Sequence, residues 1–318
     1  MTINSENDSR KPQFQILALD GGGIKGLFSA AFLAKLEEDL AIRITDHFDL
    51  LTGTSTGGII ALGLAAGLKP KEIVDFYKVH GPNIFNYKGG KVAKWCKHLQ
   101  GVLYNSEYLE NALRDAFGEI TLGECKKRVV IPSYNLDRDS VYIFKTGHHP
   151  RLRRDQHVPL WKVAMATSAA PTYFSSFKKI DHIRLIDGGI WANNPSVVGI
   201  TEAVSLLDID LKDIRLLNIG TTSEVVHRGE PLDTGGLWAW KKDAITIALR
   251  GQSIGAFNQA QLLIGNENTC RIDPAVPDNV FGLDKLKADE LLAQAAIESR
   301  HLSPSLKSTF FNHRASEL

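Results

Sequence analysis

Cysteine is scarce in this 318-residue chain: Cys96, Cys125 and Cys270 lie far apart, with no C-x-x-C pair among them. Such spacing suggests neither a disulfide framework nor a thiolate zinc site, so the three read as small buried hydrophobes or free thiols. A chain of this length without crosslinks suits a reducing cytoplasm. An excess of one charge sign is also missing, since 37 Lys and Arg face 36 Asp and Glu for a formal net charge of +1. That balance speaks against a partner that is a nucleic-acid polymer. It leaves membrane contact open, because a local patch acts without a global charge. Long apolar runs are absent too. The opening MTINSENDSRKPQ has no signal-peptide core, and the longest apolar region, Ile59 to Leu68, is rich in Gly and Ala. It falls well short of the roughly 20 residues of a membrane span, so any membrane contact is expected to be peripheral.

Against these absences, 43% of the residues are hydrophobic, enough for a sizeable core. After a polar tail over residues 1–13, Phe14 to Leu19 reads as a buried strand, Asp20 to Gly26 as a glycine turn and Leu27 to Leu40 as an amphipathic helix. The unit repeats with a strand at Phe48 to Leu51, a turn at Gly53 to Gly58 and a small-residue helix from Ile59 to Ala66. Another helix is expected from Lys69 to His80. Residues 81–105 read as a long irregular insertion, followed by a helix capped by Ser106 and running to Phe117. Val129 to Leu136 and Val141 to Phe144 read as strands, Leu160 to Ser168 as a helix, and Ile183 to Ile186 as a short strand entering Asp187-Gly188-Gly189. A helix opened by Asn193-Asn194-Pro195 runs to Leu207, a strand covers Ile214 to Ile219, and Trp238 to Ile264 is helical with a break expected near Gly251 or Gly255. A last helix is expected over 285–300. The alternation implies a mainly parallel, three-layer α/β/α domain whose ligands sit beyond the carboxyl ends of the strands. Residues 14–220 form its expected core, and 221–318 a C-terminal helical part packed on the same domain.

Three turns carry chemistry. Gly53-Thr54-Ser55-Thr56-Gly57 fits G-x-S-x-G between strand and helix, where a strained turn projects the serine hydroxyl and Gly53 and Gly57 leave room for the crowded backbone. Gly21, Gly22 and Gly23 present successive backbone N–H groups, which suits an oxyanion hole. Asp187 stands at a strand end with Gly188 and Gly189 opening space beside it, and a partly desolvated carboxylate serves as a general base. Two rivals stand beside this reading. Gly21 to Gly26 also satisfies the dinucleotide fingerprint G-x-G-x-x-G, with Asp49 near the spacing of the ribose carboxylate. A Ser-His-Asp esterase would need a downstream histidine, of which His227, His301 and His313 are the choices, each by default a solvated surface residue.

These elements together resemble the patatin-like phospholipases. The family's D-G-G-G-x-[R/K]-G is matched by Asp20 to Gly26, its G-x-S-x-G by Gly53 to Gly57, its S-A-A-P by Ser168 to Pro171 and its D-G-[G/A] by Asp187 to Gly189, in the family's order. The resemblance implies a Ser55–Asp187 dyad without histidine, an acyl-enzyme route, a glycine oxyanion hole, and neither cofactor nor metal. Lys25 keeps a positive charge at a position where the family often has arginine, but lacks the planar fork. The compact form also resembles patatin effectors of cyclic-oligonucleotide antiphage defence. That implies membrane phospholipid as substrate, a cyclic dinucleotide as activator, and a cytoplasmic protein working at the inner face of the membrane. It leaves room for a homo-oligomer. Trp238-Ala-Trp240-Lys-Lys242 pairs aromatics with cations, as membrane-surface segments do, and equally fits core tryptophans beside exposed lysines.

Overall fold

Residues 16–19 and 214–219 are apolar at nearly every position, as strands covered on both faces must be. In the computed structural model, which describes residues 13–85, 101–225, 231–277 and 287–318, they lie side by side at the centre of the sheet. The sheet has seven strands: β1 (Phe14–Leu19), β2 (Leu50–Gly53), β3 (Arg128–Asn135), β4 (Ser140–Lys145), β5 (Leu185–Asp187), β6 (Ile214–Ile219) and β8 (Thr269–Ile272), with β7 (Ser223–Val225) and β9 (Ala275–Pro277) in a separate small pair. The order is β4-β3-β2-β1-β6-β8, and the four pairings from β3 to β8 are parallel.

Alternate residues of β1 enter two cores. Leu17 and Leu19 join Leu51, Val129 and Ile131 under α1 (Gly26–Leu40), α2 (Thr56–Ala66) and α3 (Pro70–Ile84). Further along, α4 (Ser106–Phe117) and α5 (Leu160–Thr167) complete that layer. Ile16 and Ala18 join Leu50, Val130 and Leu216 under α7 (Ser196–Leu207) and the long α8 (Leu237–Ile264), which contribute Ile200, Ala203, Phe257 and Ala260. The short α6 (Gly189–Ala192) links β5 to α7. The last helix, α9 (Ala288–Phe310), buries Leu291, Ala295, Leu306 and Phe310 and donates a 2.7 Å bond from Ser299 to Asp39 of α1.

The sheet is mainly parallel, as expected, with β4 and β5 antiparallel to β3, the latter pairing Ser133 with Asp187 and Asn135 with Leu185. Several other expectations are corrected. Residues 81–84 continue α3 rather than opening an irregular insertion, and Asn105, not Ser106, caps α4 by accepting from Glu107 N–H at 3.0 Å. Helix α8 runs through Gly251 and Gly255 unbroken, and α9 passes Pro304 to reach Phe310. The residues of the expected tail before 13, the insertion over 86–100 and His227 lie outside the described residues. Among the described residues, no helix is long and apolar enough to cross a membrane.

Candidate active site

The pairing of β3 explains how two distant turns meet. Its first half pairs β2, with Thr52 opposite Val130, and its second half pairs β5, with Asp187 opposite Ser133. Strand β4 fills the other edge of β3 over the same stretch, so β2 and β5 lie end to end on one edge. They run in opposite directions, and their carboxyl ends face each other. The residues leaving β2 toward Ser55 therefore arrive where β5 delivers Asp187.

Ser55 adopts φ 55° and ψ −123°, a left-handed conformation that strains a residue with a side chain. The surroundings hold it there. Thr54 N–H donates to Leu19 O at 3.1 Å, Thr54 Oγ1 to Ala192 O at 2.6 Å, and Ser55 N–H to Thr167 Oγ1 at 3.0 Å. Gly57 packs so tightly on β1 that a Cβ there would overlap the carbonyls of Leu19 and Asp20. The first turn of α2 begins at Thr56, so the helix dipole favours negative charge beside the serine.

Asp187 is buried, and its carboxylate accepts from Gly189 N–H at 2.7 Å, with the Ser55 hydroxyl beside it. Burial pushes its pKa up from 3.8 to about 6, the Ser55 hydroxyl and Gly189 N–H offsetting part of that rise. Its own N–H donates to Ala169 O at 3.1 Å, so the Ser168–Pro171 segment braces the acid while neighbouring Thr167 braces the serine.

The glycine loop closes the third side. A Cβ on Gly21 would stand 3.3 Å from Ser55 Cβ. Gly21 N–H is occupied, donating to Asn193 O at 2.9 Å, so it is not available to an anion. Gly22 lies against the Thr221 side chain, Gly23 takes φ 60°, and Lys25 Nζ donates to Thr222 O at 3.0 Å, across the loop that follows β6.

A buried polar network holds this loop, and sequence reading missed it. Asp20, directly before the glycines, accepts from Asn218 Nδ2 at 2.7 Å and pairs with Arg271 of β8 at 2.8 Å. Arg271 also pairs with Asp273 at 2.8 Å. Burial raises Asp20 to about 6, against the pull of Arg271 and Asn218. Asn194 bonds Asn218 at 3.1 Å, and Asn193 bonds Ser253 of α8 at 2.9 Å. The only sequence signal was Asn193-Asn194-Pro195 close behind Asp187-Gly-Gly, which reads as a helix start.

The dinucleotide reading fails on geometry. Asp49 precedes β2 and accepts from Gln15 N–H at 2.8 Å, at the opposite end of β1 from the glycine loop. Its side chain also meets His313 Nε2 at 2.7 Å, so that histidine is hydrogen-bonded rather than merely solvated. His301 is exposed. Among the described residues, no group of three or more His, Cys, Asp or Glu is arranged to hold a metal.

The sequence model of the patatin-like phospholipases matches residues 17–198, more than half of the chain. The chain belongs to the patatin-like phospholipase family. Three curated relatives carry the name "cGAMP-activated phospholipase". The one from Escherichia coli strain TW11681 is 40% identical over 67% of this chain and 64% of its own length, just under two thirds. That from Vibrio cholerae serotype O1 is 37% identical over 69% and 67%, and that from Pseudomonas aeruginosa strain BWHPSA011 is 33% identical over 86% and 84%.

Proposed function

We propose that this chain is a lipid acyl hydrolase of the phospholipase A type, working through a Ser55–Asp187 dyad. The observation that carries the reading is the Ser55 hydroxyl beside a buried, high-pKa carboxylate, with the glycine loop packed on the serine at Gly21. Ser55 Oγ attacks the acyl carbonyl as its proton passes to Asp187. The tetrahedral oxyanion forms against Gly22 and Gly23 N–H, donors of a kind worth about 10²–10³ each in rate. Asp187 then protonates the leaving alcohol, which departs as the lyso-lipid. In the second half, water gives a proton to Asp187 and attacks the acyl-Ser55 ester, releasing the fatty acid and restoring the serine. A carboxyl that titrates near 6 is poised to give and take that proton near neutral pH.

The relatives' name supports a second element, a gate opened by a cyclic dinucleotide. With the resemblance to antiphage effectors, this gives an enzyme that degrades membrane phospholipid at the inner face of the membrane when a messenger rises. The test is fatty-acid release from phosphatidylethanolamine/phosphatidylglycerol vesicles, read by mass spectrometry with and without cGAMP. Release is expected from the parent with cGAMP, and from neither Ser55→Ala nor Asp187→Ala. Near-normal turnover by Asp187→Ala would overturn the dyad, and loss on His227→Ala would then point to a Ser–His enzyme.

A further inference from the structure

Helix α8 packs on the body through one stripe, and that stripe outruns the body. Phe257 and Ser253 are buried, and Leu249, one turn earlier, is half-buried. Leu249 lies against the candidate site, its Cδ2 3.7 Å from where a Cβ on Gly189 would stand. The next residue on the stripe, Ile245, is 57% exposed. On the other side of Gly189, Ile190 of α6 is likewise 57% exposed, three residues from Asp187. Ala244 to Leu249 contains no charged residue. Two exposed isoleucines thus adjoin the Leu249–Gly189 contact, one next to Gly189 in the chain and one a helical turn from Leu249. The side chains of Trp238, Lys241 and Lys242 lie outside the described residues.

We propose that Ile190 of α6 and Ile245 of α8 form an apolar lip that enters the acyl layer of a lipid membrane and seats the site on it. The proposal rests on the lipid-hydrolase reading. Two observations favour a membrane over a second copy of the chain. The lip is continuous with the candidate site through Leu249 and Gly189, where a lipid acyl chain must arrive. Its two side chains expose on the order of 200 Å², well short of the about 800 Å² per partner that a stable dimer buries. A membrane asks for less, because a few inserted apolar side chains suffice for reversible surface binding.

The test separates docking from chemistry by using the full chain with Ser55→Ala, which needs no turnover. Flotation with phosphatidylethanolamine/phosphatidylglycerol vesicles is expected to recover this protein with the lipid. Adding Ile190→Glu and Ile245→Glu is expected to lower its partition on the order of tenfold or more, since two buried isoleucines are exchanged for charges. Leu262→Glu is the control: equally apolar and 88% exposed, it lies on the same helix about 25 Å from Ile245 and is expected to change nothing. Ile190, Ile245 and Leu262 are all exposed, and thermal melts establish that each variant folds. The proposal is overturned if the parent does not float, if the double variant floats like it, or if Leu262→Glu causes the same loss. It is equally overturned if light scattering shows the double variant splitting a dimer with flotation unchanged. Vesicle binding without any ester cleavage by the Ser55 protein would sink the hydrolase reading and leave the docking result standing.

Discussion

Replacing Asp187 with asparagine removes a charge and little else, and the fold is expected to gain from it. Burial raises this carboxyl from 3.8 to about 6, so the ionised form is the unfavourable one in the folded chain. The sign follows from linkage. Below 3.8 the group is protonated whether the chain is folded or not, and the penalty vanishes. It grows as pH rises from 3.8 and is complete above about 6. At pH 8 it amounts to about 3 kcal/mol, and at pH 5 to roughly half of that. Asparagine avoids it and keeps a carbonyl for Gly189 N–H, but weakens the interaction with Ser55 at a cost of about 1 kcal/mol. The net gain at pH 8 is therefore about 2 kcal/mol, raising Tm by about 3 °C. Calorimetry of parent and Asp187→Asn at pH 8 and pH 5 checks this, alongside loss of ester hydrolysis. A variant less stable than its parent at pH 8, or a gap equal at both pH values, would refute the reasoning.

Because Asp187 acts in its ionised form, kcat/KM for ester hydrolysis is expected to rise tenfold per pH unit below about 6 and level off above it, as a pH–rate profile will reveal. Arg271→Met leaves Asp20 buried without its cation and is expected to cost about 3–5 kcal/mol in chemical denaturation, with Asp20→Asn restoring much of that loss in the double variant. Gly57→Ala drives a Cβ into the backbone of β1 and is expected to destabilise by about 1–3 kcal/mol and abolish labelling of the serine. Gly251→Ala meets open space inside a continuous helix and is expected to stabilise by about 0.5–1 kcal/mol, read as a higher Tm.

The centre of the sheet was legible because strands buried on both faces carry a largely apolar signature, as β1 and β6 do. Strand β8 was not, since Thr269-Cys-Arg-Ile contains an arginine whose burial makes sense only beside Asp20, far away in sequence. The glycine breaks expected in α8 did not occur because propensity is a weak cost in a helix fixed by Phe257, Ala260 and Ile264. At the candidate site, the motifs named the turns of Ser55, Asp187 and the glycine loop but not how they meet. That depends on the antiparallel entry of β5, which three residues of sequence cannot encode. The division of labour among the glycines was hidden as well, since only a tertiary contact occupies Gly21 N–H with Asn193. Asp49 illustrates the converse. Its spacing fits a ribose ligand, and pairing in the sheet carries it to the wrong end of β1.

The most direct measurement is the rate at which a fluorophosphonate probe modifies the protein, with the modified residue located by peptide mass spectrometry. A single adduct on Ser55 is expected, forming at least about 100-fold more slowly in Asp187→Asn and at the parent rate in His227→Ala. An adduct on another residue, or a rate on Ser55 that ignores Asp187 and depends on His227, would contradict a serine activated by this carboxylate.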